Sequence, residues 1–242
     1  EFTLNRLEWR PSYPALSFCQ PTMLKKVYQK LQLLLPSEPC ALCNQPVEGE
    51  LPLCRHCRAS LPNMLSVPLA LQQHKAWDRV VVPYHYKTPL APLIHQLKFG
   101  HKLPLARLFG RLMLEHLQQQ NIDRPDQILP IPLHNRRLRE RGFNQALEII
   151  RGPAKSLGIP LNRHSCERSR ATPAQSRLNA AHRKENLKGA FTVHAPLEGA
   201  HIAIFDDVIT TGTTMEMVAH ALKQQGAETI QIWALAYTPP HR

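Results

Sequence analysis

The stretch that most constrains this chain is IFDDVITTGTT, which occupies residues 204–214. An apolar run leads into Asp206 and Asp207, and a helix-forming stretch, TTMEMVAHALKQQG, follows the threonine-rich turn. In a parallel sheet, ligands bind beyond the carboxyl ends of the strands. Backbone N–H groups and hydroxyls at the start of a helix can hold a phosphate group there. We therefore predict a phosphate site formed by Thr210, Thr211, Gly212, Thr213 and Thr214.

The two carboxylates must serve a different part of the ligand, because they repel a phosphate. Ribose hydroxyls or a Mg²⁺ ion suit Asp206 and Asp207. A ligand with a 5′-phosphate and free 2′ and 3′ hydroxyls satisfies both halves of the stretch. The alternative is a capped strand–helix turn with unrelated acidic residues. A Walker-type loop is excluded, since the sequence contains neither Gly-Lys-Ser nor Gly-Lys-Thr.

Strand-like and helix-like stretches alternate from residue 78 onward. RVVVPYHY, QILPIP, HIAIFDDV and TIQIWALAY are strand-like, and stretches with leucines at helical spacing lie between them. This alternation predicts an α/β fold with a parallel sheet flanked by helices. We expect the helix that begins near Asn144 to kink or end at Gly152-Pro153, because proline lacks the backbone N–H.

Four cysteines form a second motif, CALCNQPVEGELPLCRHC, with two Cys-x2-Cys pairs. Two such pairs can place four thiolates around a tetrahedral ion, so we predict a structural Zn²⁺ site. Four protein ligands leave no open position, and the metal would hold the fold without doing chemistry. A redox or free-thiol role is the alternative, although it would not need two pairs. The predicted ligands are Cys40, Cys43, Cys54 and Cys57.

These motifs divide the chain into three parts: an N-terminal extension (1–33), a four-cysteine zinc-binding module (34–70) and an α/β domain (71–242). Residues 1–22 are irregular and precede Met23. They are either a non-native segment upstream of the natural start or an ordinary arm packed on the domain. No apolar run approaches the ~18 residues of a membrane span. The start lacks the order of a signal peptide, so we expect a cytoplasmic protein without an integral membrane segment.

The net charge of +12 is concentrated in one region. Between residues 133 and 188 there are thirteen Lys or Arg and four Glu, which supplies nine of the twelve excess charges. This concentration favours an anionic partner, either a phosphate-rich ligand or a nucleic acid. Structural pairing with Glu140 and Glu148 is the alternative. Candidates for contact with pyrophosphate or DNA are Arg136, Arg137, Arg139, Arg141 and Lys98.

Residues 204–214 resemble the phosphoribosyl pyrophosphate (PRPP) signature of type I phosphoribosyltransferases. In that family an apolar strand leads to two acidic residues and a phosphate loop containing Thr-Gly-Thr. The resemblance implies that Asp206 and Asp207 are catalytic and contact the ribose hydroxyls. It also implies that the threonine loop cradles the 5′-phosphate and that Mg²⁺ accompanies PRPP.

Three further motifs narrow the resemblance: YKTPLAPLIHQLKFG, LPIPLHNRRLRERGFNQA and RSRATPAQSRLNAAHRKENLKGAF. With the cysteine pairs they resemble the ComF family, including GntX-like proteins, over about residues 34–237. The family combines a zinc ribbon with a type I phosphoribosyltransferase-like domain. The resemblance implies a factor for natural transformation that binds single-stranded DNA in the cytoplasm, alongside competence-machinery proteins such as a DNA-uptake helicase. The alternative is an active phosphoribosyltransferase that transfers ribose 5-phosphate from PRPP to an unknown acceptor. In either case the bound ligand is PRPP or a related ribose phosphate.

Two weaker expectations concern the region after the arginine cluster. Phe143 either stacks on a base or belongs to the core. Five basic residues resemble the mobile hood loop that covers PRPP in this fold, and a plain solvated loop is the alternative. These residues are Arg168, Arg170, Arg177, Arg183 and Lys184.

Overall fold

The computed structural model describes residues 39–47, 51–169 and 189–239, which belong to one compact unit, Glu38–Arg242. The helices are α1 (Arg55–Ala59), α2 (Leu69–Gln72), α3 (Leu90–Phe99), α4 (Pro104–Gln119), α5 (Asn135–Arg141), α6 (Gln145–Leu157) and α7 (Thr213–Gln224). The strands are β1 (Arg79–Val81), β2 (Tyr84–His85), β3 (Gln127–Pro130), β4 (Cys166–Arg168), β5 (Phe191–Val193), β6 (His201–Ile209) and β7 (Thr229–Tyr237). The predicted N-terminal extension lies outside the described residues. No described helix is long and apolar enough to cross a membrane.

Five strands form a parallel sheet in the order β1-β7-β6-β3, with β2 pairing with the last residues of β7. β6 and β7 are the longest strands, and β6 lies between β3 and β7. The short strands β4 and β5 form a separate antiparallel pair. The predicted α/β fold with a parallel sheet is therefore confirmed, and β6 continues beyond the acidic pair to Ile209.

Both faces of the sheet are covered, which explains the long apolar runs of β6 and β7. Ala203 and Phe205 belong to the core shared with α3, α4 and α6. Ile202 and Ile204 belong to the core shared with α7 and the β4–β5 pair. This burial fixes the register of β6, because a shift by one residue would exchange the two sets.

Helix α6 is continuous through Pro153, so the expected end at Gly152-Pro153 is wrong, and the expected kink stays a prediction. An interior proline costs about 3 kcal/mol. Burial of one isoleucine contributes about 1.5–3 kcal/mol, and Ile149 and Ile150 are both fully buried here. The neighbouring helix α4 also approaches closely: a Cβ at Gly110 would lie 2.6 Å from the Ile149 carbonyl oxygen and 3.3 Å from Pro153 Cδ. Helix packing therefore outweighs the lost hydrogen bond.

The cysteine module packs against the α/β domain. Cys40, Cys57 and Leu61 share a buried cluster with Leu112 of α4. Arg58 Nη2 lies 2.6 Å from Glu115 Oε2, beside a cleft of about 370 Å³ between α1, β2 and α4. The boundary predicted between the cysteine module and the α/β domain, at residues 70 and 71, stays a prediction. Residues of the module and of the domain share one apolar core.

Candidate functional site

The acidic pair lies near the carboxyl end of β6, beside α3. Asp207 is buried, and Asp206 is mostly enclosed, with part of its surface still accessible. Lys98 of α3 places its Nζ 2.6 Å from Asp207 Oδ2, and its side chain is mostly buried. Burial is the largest single influence and opposes the positive charge, but the charge and hydrogen bond of Asp207, together with the charge of Asp206, outweigh it and raise the pKa of Lys98. The structure thus brings the predicted Lys98 to one of the two predicted carboxylates.

The environment of Asp206 shifts its pKa upward. Burial, followed by the charge of Asp207, raises the pKa of Asp206 to about 8, even though Lys98 acts in the opposite direction. The backbone N–H of Asp207 donates to Asp206 Oδ1 at 2.9 Å. The raised pKa means that Asp206 holds a proton more readily than an ordinary carboxyl group does. A carboxylate accepts hydrogen bonds from hydroxyl groups, and a protonated carboxyl group can also donate one.

The predicted phosphate loop connects β6 to α7. Gly212 has φ 78° and precedes the helix, and Glu216 N–H donates to its carbonyl oxygen at 2.8 Å. This is the first bond of the helical ladder, so the N–H groups of Thr213 and Thr214 lie before it. The hydroxyls of Thr211 and Thr213 lie 2.7 Å apart. The Thr213 N–H also donates to Thr211 Oγ1, at 3.4 Å. The amide and hydroxyl groups of the loop thus follow the acidic pair and contact one another, while Thr210 is exposed.

The Trp77 ring packs next to Gly212 of this loop, and the sequence did not predict this contact. A Cβ on Gly212 would lie 2.8 Å from the Trp77 ring, so the loop needs glycine both for its φ and for this contact. Trp77 Nε1 donates to the Leu71 carbonyl at 2.7 Å, and His74 stacks on the ring at 3.9 Å. The only signal in the sequence is a tryptophan two residues before the first strand, which does not indicate a distant glycine.

The arginine-rich segment forms helix α5, directly after β3. None of its residues is buried, and it ends at Gly142 with φ 75°. Asn144 ties the following turn to the sheet: its Nδ2 donates to the Ile131 carbonyl at 2.9 Å, and its Oδ1 accepts from Ala146 N–H at 3.0 Å. Because β3 pairs with β6, the helix starts at the same edge of the sheet as the acidic pair.

The four predicted arginines of α5 differ in their contacts. Arg136 pairs with Glu140 at 2.9 Å, as the structural alternative predicts, whereas Glu148 pairs with Arg151. Arg139 Nε has a long contact, 3.4 Å, with the Asn135 carbonyl. Arg137 is half-buried.

Arg141 interacts electrostatically with both residues of the acidic pair, and Arg168 of β4 interacts with Asp206. Burial lowers the pKa of Arg141, while the charges of Asp207 and Asp206 oppose this change. Its guanidinium carbon lies 5.1 Å from the centre of the Phe99 ring. Phe143 is partly buried against the core that includes α3 and α4, which favours the core role over base stacking.

Of the predicted hood residues, the structure describes one. Arg168 lies in β4, and its guanidinium carbon is 5.4 Å from the centre of the Phe191 ring in β5. Arg170, Arg177, Arg183 and Lys184 lie outside the described residues.

The four cysteines converge as predicted from their spacing. Their sulfur atoms all lie within 4.8 Å of one another. In a tetrahedral site with Zn–S bonds of ~2.3 Å, sulfur atoms are about 3.8 Å apart, and Cys43 and Cys54 lie 3.7 Å apart. Burial opposes ionisation of Cys40, but N–H donors from Cys54, Cys43 and Leu42 lower its pKa to about 6, whereas the pKa values of Cys43 and Cys57 are raised. This donor set fits a metal ion bound through thiolates.

The chain is similar in sequence to known proteins. The phosphoribosyl transferase domain family matches residues 159–242. DNA utilization protein YhgH of Salmonella typhimurium is 37% identical over 205 residues, covering 82% of this chain and 90% of that protein. Competence protein F of Haemophilus influenzae is 32% identical over 205 residues, covering 81% and 89%. The solved purine phosphoribosyltransferase from Pyrococcus horikoshii Ot3 is 19% identical, covers 55% of this chain and 82% of its own, and gives a TM-score of 0.33.

The parallel sheet, the family-domain match and the cysteine cluster define an α/β protein with a phosphoribosyltransferase-type domain and an N-terminal four-cysteine cluster. Within that class, the chain belongs to the ComF family, together with relatives that are named for competence and for DNA utilization. The family resemblance inferred from the motifs is confirmed.

Proposed function

We propose that this protein acts in natural transformation, where it binds single-stranded DNA in the cytoplasm and holds PRPP or a related ribose phosphate with Mg²⁺. The observation that carries the proposal is the meeting of two kinds of group at one edge of the sheet. One is the acidic pair with Lys98 and the Gly212 loop, and the other is the exposed arginine helix α5. The names of the relatives point to the same process.

The acidic edge suits a ribose 5-phosphate. Asp206 and Asp207 would bind the ribose hydroxyls, and the donors that follow Gly212 would bind the 5′-phosphate. Lys98, already held near Asp207, supplies a positive charge beside the ribose site. Mg²⁺, when bound with PRPP, would neutralise part of the pyrophosphate charge.

The arginine helix suits a polymer of phosphates. Its four arginines are solvated or half-buried, with one glutamate among them. Phosphate contacts release counterions, so binding through this helix must weaken as the salt concentration rises. Competence-machinery proteins, such as a DNA-uptake helicase, are the expected protein partners.

The cysteine cluster would hold a structural Zn²⁺, because four thiolates complete its coordination. Metal analysis of the purified protein should give one zinc per chain. Cys57→Ser should lose the metal and unfold the module, and Cys166→Ser, which alters a cysteine outside the cluster, should retain it. Retention of zinc by Cys57→Ser would contradict the proposed ligand set.

An active phosphoribosyltransferase is the second candidate function, and the acidic pair with its donor loop favours it. Its test is release of pyrophosphate from PRPP and Mg²⁺ across a panel of nucleobase and amine acceptors. Turnover that disappears in Asp206→Asn would establish the activity. Binding of PRPP without turnover of any acceptor would leave the domain a ligand-binding one.

Calorimetry with PRPP and Mg²⁺ tests the pocket itself. Asp207→Asn should weaken binding strongly, whereas Glu228→Gln, an exposed acidic residue outside the site, should bind as the wild type does. Absence of heat from the wild type, or equal affinity in both variants, would overturn the ribose-phosphate part of the proposal.

Anisotropy of a labelled single strand tests the DNA part. Affinity should fall linearly with salt on a logarithmic scale. A strand that fails to bind at low salt, or binds with no salt dependence, would overturn the role of α5.

A further inference from the structure

One exposed aromatic side chain stands at the edge of the site. Phe99, at the end of α3, is 57% exposed, and it is the only aromatic residue among the large exposed apolar side chains of the described chain. A single exposed apolar residue is ordinary on a protein surface. What needs explanation here is the set of charged and aromatic groups that surrounds it.

Two distant segments meet at this ring. Arg141, the last residue of α5, lies over Phe99 at 5.1 Å, and the His95 ring lies 4.6 Å away with a tilt of 40°. Two residues after Phe99, His101 meets Phe143 edge-on at 6.2 Å. We call these five residues the Phe99 cluster. It joins the end of α3 to the turn that follows α5.

The Phe99 cluster borders the acidic pair. Lys98, the residue before Phe99, reaches Asp207 at 2.6 Å. Consecutive residues of a helix point about 100° apart, so Lys98 and Phe99 face different directions, and the exposure of Phe99 shows that its ring lies at the surface. The charges of Asp207 and Asp206 both act to raise the pKa of Arg141, against the effect of burial. The exposed ring therefore lies between the acidic edge and the arginine helix.

Packing does not account for this arrangement. A cation–π contact at an exposed site contributes only about 0.5–1 kcal/mol, whereas burial of a phenylalanine would contribute about 1.5–3 kcal/mol. Unpaired nucleobases, by contrast, stack on aromatic rings and on arginine guanidinium planes. The charge beside the ring is complementary to such a partner, because α5 carries four arginines and one glutamate and buries none of them.

We propose that Phe99 and Arg141 form a stacking platform for an unpaired base of a single DNA strand whose phosphates lie along α5. This inference rests on the proposed DNA-binding function and adds a base contact to it. The arginines contact phosphates, so the affinity that they supply depends on salt concentration and does not require a nucleobase. The platform supplies affinity that requires one.

The experiment compares two labelled strands of equal length, oligothymidylate and its abasic counterpart, with the full-length chain. Phe99→Ala should bind oligothymidylate about 5- to 150-fold more weakly, which corresponds to the loss of one stacked base. It should bind the abasic strand as the wild type does, with an unchanged salt slope. Phe99→Trp should restore binding, since it keeps an aromatic face.

Leu65→Ala is the matched control, because Leu65 is an exposed apolar residue outside the cluster, and it should change neither strand. Arg141→Lys keeps the charge and loses the planar group, so it should weaken oligothymidylate more than the abasic strand. A thermal unfolding midpoint equal to that of the wild type, measured for each variant, excludes a folding defect.

Two outcomes would overturn the platform. One is an unchanged affinity of Phe99→Ala for oligothymidylate, and the other is an equal loss on both strands, which would mean that Phe99 only holds Arg141 for a phosphate. In both cases the salt-dependent binding of the wild type would survive. If the wild type binds neither strand at low salt, the proposed DNA-binding function fails together with the platform.

Discussion

The strand β6 ends, and the helix α5 begins, at the same edge of the sheet, but the charges of these two regions are balanced differently. Asp207 is buried and already has Lys98 as its partner. Helix α5 has no buried residue and carries four arginines against one glutamate. A buried charge without a partner is costly, whereas a solvated charge costs little. The first region therefore balances its charge internally, whereas the second keeps a net positive charge at the surface.

The largest expected effect comes from breaking the buried pair. Asp207→Ala leaves Lys98 without its partner, and removal of one partner of a buried ion pair destabilises a protein by about 3–5 kcal/mol. Urea unfolding measures this loss. The double variant Asp207→Ala/Lys98→Met should recover much of it, because the unpaired charge is gone. A double variant as unstable as the single one would show that Lys98 does not depend on Asp207.

The next effect concerns the loop that follows the pair. Gly212→Ala places a Cβ at φ 78° and 2.8 Å from Trp77. Left-handed strain alone costs about 1–3 kcal/mol, so both stability and PRPP binding should fall. Gly199→Ala, also at positive φ but with nothing near its Cβ, is the matched control. It should lose stability without losing PRPP affinity.

A pH series sharpens the contrast between the two regions. Burial, then Asp207, raises the pKa of Asp206 to about 8, so the folded chain keeps a proton that the unfolded chain loses above ~3.9. The contribution of Asp206 to stability therefore falls as pH rises from about 4 to about 8. Asp206→Asn should flatten this fall in urea unfolding measured between those limits. An identical pH slope in variant and wild type would contradict the raised pKa.

The smallest effects belong to α5. Arg139→Ala should make the salt slope of single-strand binding shallower by about 0.7, the loss of one phosphate contact, and should retain zinc. Arg136→Ala should have less effect, because Arg136 already pairs with Glu140. Exposed helix pairs contribute only about 0.3–0.5 kcal/mol, so neither variant should change unfolding much. Loss of metal from Arg139→Ala would reveal a structural role for this residue.

The parts of the molecule that were predictable depend on local sequence. The strand, acidic pair and glycine turn of residues 201–214 follow one another, and apolar runs reveal their order. Cysteine spacing likewise reveals the thiol cluster. The continuation of β6 to Ile209 was not predicted, because pairing with β7, rather than local pattern, extends the strand.

The parts that were missed depend on contacts between distant segments. The pairing of Lys98 with Asp207, the position of Trp77 under Gly212, and the meeting of Phe99 with Arg141 each require the tertiary fold. Pro153 is an example in which a local sequence signal gave a wrong prediction. Its local preference to break a helix was outweighed by the packing of α6 on α4.

The contact between Trp77 and Gly212 has a practical consequence. The Trp77 indole packs next to Gly212, and the emission of tryptophan responds to nearby charge, so we expect Trp77 emission to change when an anion binds the loop. Trp233 is fully buried in the core, and the third tryptophan, Trp9, lies outside the described residues. With the emission of those two subtracted, Trp77 is expected to report binding at the loop without an added label.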